Sequence, residues 1–110
     1  MRTGVLALTA LVLLLVGCGT PVPADKADYV GTWRGPEMSL VITQNGNVQY
    51  ERTKPNMKTS IDGPLRGFEG DNFQVGVPFV STVFVVSRPP YRDGDQWKMV
   101  VDGVELTKVR

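Results

Sequence analysis

From Tyr29 onward, apolar side chains occur in short runs that alternate with polar ones, and Gly, Asn, Asp and Pro separate the runs. No stretch of this region shows the 3.6-residue period of an amphipathic helix. Short alternating runs at close spacing predict an all-β domain: a small antiparallel up-and-down meander, folded as a barrel or sandwich of about eight strands. We predict strands near residues 30–34, 38–43, 47–53, 58–62, 64–69, 72–77, 81–88, 96–101 and 104–109.

The last two predicted strands form a hairpin whose register follows from the pattern. A two-residue type I′ turn at Asp102-Gly103 brings five apolar side chains to one face of the hairpin. These five are Trp97, Met99 opposite Leu106, and Val101 opposite Val104. Turn chemistry and hydrophobic alternation agree, so we expect this face to point into the core.

A second hairpin, over residues 39–52, allows two registers. A two-residue turn at Asn45-Gly46 would set Ile42 opposite Gln49, an apolar residue against a polar one. A three-residue loop over residues 44–46, with Gly46 in a left-handed conformation, instead sets Ile42 opposite Val48 and Leu40 opposite Tyr50. Burying each such apolar side chain contributes about 1.5–3 kcal/mol, so we predict the three-residue loop.

The N-terminal segment has a different pattern, with an apolar run from Val5 to Val16 that only Thr9 interrupts. About 20 residues are needed to cross a bilayer as a helix, and this run is shorter. A positive end at Arg2, an apolar run and small residues after it are typical of a secretory signal peptide. We therefore predict a signal peptide over residues 1–17.

The signal peptide ends in Leu15-Val16-Gly17-Cys18, which resembles the lipobox of bacterial lipoproteins. The resemblance implies cleavage before Cys18 and attachment of diacylglycerol and a further acyl chain, such as palmitate, to that residue. It further implies a protein of the cell envelope, held in the membrane through Cys18. Gly19 rather than Asp follows the cysteine, which by analogy implies the outer membrane, facing the periplasm, in a Gram-negative organism. The alternatives are an uncleaved helix or a secretory peptide with an incidental cysteine.

The polar, proline-containing residues 18–28 would then be a lipidated tether without regular structure, and residues 29–110 would be the β-barrel-like domain.

The stretch at residues 29–35 resembles the Gly-x-Trp opening of lipocalins and of small lipocalin-like lipoproteins, with Gly31 and Trp33 at the motif positions. The resemblance implies that Trp33 closes one end of a barrel against a basic residue, Lys108 or Arg110. The chain is much shorter than lipocalins, and Trp33 could simply be a core aromatic residue.

Composition narrows the possible functions. Beyond Arg2, the chain carries 11 Lys and Arg against 11 Asp and Glu, which argues against nucleic-acid binding. There is no histidine and one cysteine, so neither a Ser-His-Asp triad nor a Cys/His metal site can form. Several of the carboxylates, those of Asp62, Glu69, Asp93 and Asp102, directly precede glycine in predicted turns, where backbone conformation alone favours them. We therefore predict no cofactor, no metal and no enzymatic activity.

One segment has the composition of a binding site. Residues 87–96 join two predicted strands but exceed the length of a hairpin turn, and Pro89-Pro90 would stiffen them. Together with a second irregular stretch at residues 53–60, this loop could form a basic and aromatic patch. The patch would comprise Lys54, Lys58, Arg88, Tyr91 and Arg92. Alternatively, the loop is merely solvated and Tyr91 packs back on the barrel.

Three functions follow from these observations. We favour a non-catalytic binding or interaction module on the envelope, whose partner would be an envelope protein or an anionic glycan or lipid. The alternatives are a lipocalin-like carrier of an apolar ligand and, less favoured, a hydrolase. An eight-stranded barrel of this strand length is just filled by its own side chains, which disfavours the carrier.

Overall fold

The computed structural model describes residues 19–77 and 79–109, so Cys18 and Arg110 lie outside the described residues. The predicted lipidation of Cys18, the predicted signal peptide of residues 1–17 and the candidate role of Arg110 as partner of Trp33 all lie outside the described residues. In the described part, a 3₁₀ segment at Ala24–Tyr29 precedes nine strands. The strands are β1 Gly31–Gly35, β2 Met38–Ile42, β3 Asn47–Lys54, β4 Met57–Glu69, β5 Asn72–Val77, β6 Val80–Phe84, β7 Val86–Asp93, β8 Gln96–Val101 and β9 Val104–Val109.

The nine strands form one antiparallel sheet in the order β6-β5-β4-β3-β2-β1-β9-β8-β7. Within this sheet β9 pairs with β1, and only β6 and β7 of the described strands lie at the edges. These two edge strands are joined by the single residue Val85. The sheet must therefore curl to bring its edges together, which confirms the predicted all-β, antiparallel, barrel-like fold.

Three hydrogen bonds hold the chain where it passes from one edge to the other at Val85. The Asp102 amide donates to the Val85 carbonyl over 2.8 Å, and the Asp102 carboxylate accepts from the Val85 amide over 3.0 Å. On the other side, Asn72 Oδ1 accepts from the Val86 amide over 2.8 Å. These bonds satisfy backbone groups that would otherwise remain unpaired where the chain passes from one edge to the other.

Two predicted strand boundaries are wrong. The strands predicted at 58–62 and 64–69 are the single strand β4, which changes partner along its length. Its first part pairs with β3 up to Pro64 opposite Asn47, and its second part pairs with β5 from Leu65 opposite Val75. Conversely, the strand predicted at 81–88 is two strands, β6 and β7, separated by Val85. β6 pairs with β5, and β7 pairs with β8.

Both predicted hairpin registers are confirmed. Met99 lies opposite Leu106, and Asp102 and Gly103 have φ values of 48° and 81°, as a type I′ turn requires. In the other hairpin, Ile42 lies opposite Val48 and Leu40 opposite Tyr50, and Gly46 has φ 89°. Hydrophobic pairing therefore decides the register here, as the sequence pattern predicts.

The core lies inside the curled sheet and is formed by alternate residues of its strands. Eleven side chains are under 2 % exposed: Trp33, Leu40, Ile42, Val48, Leu65, Phe73, Val75, Phe84, Met99, Val101 and Leu106. Phe73 and Phe84 stack with ring centroids 5.0 Å apart, and Tyr50 meets Phe84 edge-on at 4.9 Å. The sheet thus buries a continuous apolar interior.

The segment 19–28, for which the sequence predicts a tether without structure, is packed against the sheet. The Thr20 amide donates to the Leu65 carbonyl over 2.8 Å. Val22 is 3 % exposed, and its backbone forms two hydrogen bonds of 2.9 Å with Gln44. Burial of Val22 and of Tyr29 covers core side chains at this end of the sheet. The folded unit therefore includes residues from 19 onward, and the predicted boundary at residue 29 is too late.

Candidate functional site

A surface cleft of about 640 Å³ lies where the β7–β8 turn approaches β9 and β1. This volume is in the range of about 300–1,000 Å³ that small-molecule sites occupy. Its walls are formed by Arg34, Arg92, Asp95, Gln96, Trp97, Thr107, Lys108 and Val109. We call it the basic cleft, because three of these side chains are cationic and one is anionic.

Lys108 is the most firmly held cation of the basic cleft. Its ammonium lies 4.9 Å from the ring centroid of Trp33 and 5.6 Å from that of Trp97, and it donates to the Asp28 carbonyl over 3.0 Å. Desolvation lowers the pKa of Lys108, and the negative charge of Asp28 partly opposes that shift. Both indole faces are attractive surfaces for a cation.

Gly31 makes room for this lysine. It has φ 145°, and a Cβ there would lie 3.2 Å from Lys108 Cε. Trp33 is fully buried and donates from Nε1 to the Tyr29 carbonyl over 2.9 Å. Gly31, Trp33 and Lys108 therefore meet at one end of the sheet, and Trp33 also belongs to the core. Of the two basic residues considered as partners of Trp33, Lys108 is the one that the described structure places over its ring.

The opposite wall of the basic cleft comes from the β7–β8 hairpin. Arg92 pairs with Trp97 across the two strands, with its guanidinium 5.4 Å from the indole centroid. Its Nη2 donates to the Gly94 carbonyl over 3.3 Å, which turns the charge toward the hairpin end. Arg34, on β1, is exposed and completes the set of cations.

The structure corrects the prediction of a loop at residues 87–96. This stretch contains most of β7 and a tight turn at Gly94-Asp95 with Asp93 opposite Gln96. Register shifts between Val86 and Tyr91 accommodate the two prolines. Because β7 is an edge strand, it tolerates residues that lack a backbone N–H donor.

Arg88 and Tyr91 of the predicted patch are engaged within the sheet. The Arg88 guanidinium lies 3.6 Å from the Tyr91 ring centroid, and the Tyr91 hydroxyl donates to Glu105 over 2.9 Å. That hydrogen bond raises the pKa of Tyr91. Lys98 adds contacts of 3.6 Å to Glu105 and 3.5 Å to Asp93, and the charge of Glu105 raises the pKa of Lys98. Tyr91 thus packs against the sheet, as the alternative interpretation of this segment expects.

Lys54 and Lys58 lie elsewhere. They belong to the exposed β3–β4 hairpin, where Lys58 forms an ion pair of 3.2 Å with Glu51. Four strands separate β3 from β7 in the sheet. Of the five predicted patch residues, only Arg92 lines the basic cleft. The sequence analysis does not predict Arg34 and Trp97 as site residues, since they come together only through the pairing of β1 with β9 and of β9 with β8.

The residues that the structure describes include no group of three or more His, Cys, Asp or Glu that could hold a metal ion. Within residues 19–77 and 79–109, no helix has the length and hydropathy to cross a bilayer. Comparison of the chain with protein-family models, curated proteins and solved structures gives no match. Function must therefore be inferred from the chemistry of the basic cleft and from the sequence.

Proposed function

We propose that the protein is a lipoprotein of the bacterial envelope, anchored through Cys18, whose domain is a non-catalytic binding module. We propose further that the basic cleft binds an anionic group of an envelope glycan. The observation that carries this proposal is that Arg34, Arg92 and Lys108 all line one cleft whose wall also contains Trp97. The chain as a whole is close to neutral, so this local excess of positive charge is distinctive.

The chemistry of the walls suits such a ligand. A guanidinium binds a carboxylate or phosphate through paired N–H donors, and Arg34 and Arg92 each supply one guanidinium group. Trp97 is only partly buried, and an indole offers an apolar face on which a sugar ring can pack. The volume fits a few sugar units rather than the flat, extended contact of a protein partner.

The carrier of an apolar ligand receives less support. Such a carrier needs an apolar cavity inside the sheet, but the described interior is occupied by Trp33, Phe73 and Phe84 together with aliphatic side chains. The basic cleft itself lies at the surface and has cationic walls. A small apolar molecule would gain little there.

A titration of the full-length protein in detergent tests the proposed ligand. Soluble peptidoglycan fragments with free carboxylates are the probe, a neutral chitooligosaccharide is the ligand control, and tryptophan fluorescence is the readout. Charge-assisted hydrogen bonds contribute about 1.5–3 kcal/mol each, so the double variant Arg34→Ala/Arg92→Ala should bind at least about tenfold more weakly.

The matched control is Lys54→Ala/Lys58→Ala, which removes the same charge from the β3–β4 hairpin and should leave the affinity unchanged. If both double variants lose affinity equally, binding reflects net charge and not the basic cleft. If the neutral sugar binds as well as the anionic fragments, the proposed ligand chemistry is wrong.

A further inference from the structure

The β5–β6 hairpin exposes an unusual amount of apolar surface at its tip. Phe79 is 87 % exposed, Val80 is 69 % exposed and Val77 is 42 % exposed. Val77 and Val80 face each other across the two strands, and Phe79 lies in the turn between them. We call these three residues the apolar tip. Contiguous exposed apolar side chains mark sites of interaction with proteins, ligands or membranes.

The sequence around the apolar tip is free of charge. No Asp, Glu, Lys or Arg occurs from Asn72 to Ser87. The β3–β4 hairpin provides a contrast within the same domain, because its exposed Met57 lies between Lys54 and Lys58. Charged side chains near a hairpin turn would have to be desolvated in a lipid interface, and the apolar tip has none to desolvate.

The apolar tip lies close to the point where the described chain begins. Gly19 and Thr20 line one small hollow together with Arg66 and Gly76. Gly76 precedes Phe79 by three residues, and three residues of chain span at most about 10 Å. The residue before Gly19 is Cys18, so the proposed acyl chains would leave the protein within a short distance of the apolar tip.

Because residues 19–28 are packed against the sheet, they do not form a flexible spacer that could hold the domain away from the membrane. The Thr20 amide is bonded to Leu65, so Cys18 lies only two residues from a fixed point on the sheet. A bilayer that holds Cys18 must then lie against this part of the domain. The cation of Arg66 in the same hollow favours anionic lipid headgroups.

We propose that the apolar tip inserts into the membrane interface beside the lipid anchor, and so fixes the orientation of the domain on the bilayer. This inference depends on the proposed anchoring at Cys18 but not on the ligand of the basic cleft. Apolar side chains of interfacial proteins sit about 5–10 Å deep, at the boundary of headgroups and acyl chains. The hairpin can reach that depth with Phe79 foremost.

The test uses the full-length, cell-acylated protein in vesicles of phosphatidylethanolamine and phosphatidylglycerol that contain brominated phosphatidylcholine, which quenches nearby tryptophans. The variant Phe79→Trp places a probe at the apolar tip. The matched control Asn56→Trp places one in the turn of the β3–β4 hairpin. We expect bromine quenching of Phe79→Trp to exceed that of Asn56→Trp and of wild type by about twofold or more.

Equal quenching of the two variants would overturn the proposal. A blue-shifted emission of the Phe79→Trp variant that depends on protein concentration and not on bromine would also overturn it, because the apolar tip would then contact a second copy of the chain. Mass spectrometry of the same sample reports acylation of Cys18. Absence of the acyl chains would contradict the anchor, whereas an acylated Phe79→Trp protein without extra quenching would contradict only the insertion of the tip.

Discussion

Leu106→Ala tests the assignment of the core most sharply. Leu106 is fully buried on β9 opposite Met99, and its Cδ2 lies 2.8 Å from the position that a Cβ on Gly35 would take. A buried Leu→Ala change costs about 2–5 kcal/mol, and the cost grows with the cavity that remains. Gly35 has no side chain with which to fill that cavity, so we expect a cost of about 3–5 kcal/mol, in the upper part of that range. For a domain of this size such a loss lowers Tm by roughly 12 °C or more.

The assay is urea unfolding of the full-length protein in detergent, followed by tryptophan fluorescence. Thr107→Ala is the matched control, because Thr107 neighbours Leu106 on β9 but points to the other face and is only half-buried. We expect its free energy of unfolding to lie within about 0.5–1 kcal/mol of wild type. Equal midpoints for the two variants would refute the assignment of faces on β9.

Three further predictions concern other parts of the chain. Cys18→Ser should abolish incorporation of labelled fatty acid and cleavage before residue 18; normal labelling would contradict the lipobox interpretation. Burial, reinforced by the charge of Asp71, raises the pKa of Tyr29 from 10.0 to about 12. The stabilising contribution of protonated Tyr29 is therefore complete below about pH 10 and is lost as the pH rises toward about 12. Over that interval the urea midpoint should fall less steeply for Tyr29→Phe than for wild type. An equally steep fall in both proteins would contradict this assignment of the pKa. Gly76→Ala should lower the melting temperature, since the new Cβ would clash with the Val80 carbonyl oxygen across the β5–β6 hairpin. An unchanged melting temperature would contradict this close approach of the two strands.

Period-two alternation and turn residues were sufficient to predict the fold class and most strands. The Asp102-Gly103 turn and the loop ending at Gly46 succeeded because backbone requirement and hydrophobic pairing agree at both places. The prediction of a loop around Pro89-Pro90 was wrong because an edge strand needs fewer backbone N–H donors and therefore accepts proline. Whether a strand lies at an edge depends on the order of strands in the sheet, which a local sequence pattern does not contain.

The N-terminal segment and the basic cleft depend on contacts between residues distant in sequence. Val22 is one apolar residue among small and polar ones, and nothing nearby in the sequence indicates that Gln44 will bind its backbone. The lipocalin resemblance implies Lys108 or Arg110 as the partner of Trp33, without deciding between them. Arg34 could have been found only from the pairing of β1 with β9, which places it opposite Thr107.

Photo-crosslinking in cells that express the full-length protein tests the central claim, a binding module that acts through the basic cleft, most directly. A photoreactive amino acid at the exposed Gln96 places the probe in the wall of the basic cleft, and one at the exposed Thr59 places it on the β3–β4 hairpin. We predict an adduct with anionic glycan from Gln96 alone, which the additional change Arg34→Ala/Arg92→Ala removes. No adduct at Gln96, or equal adducts at both positions, would contradict the proposed function.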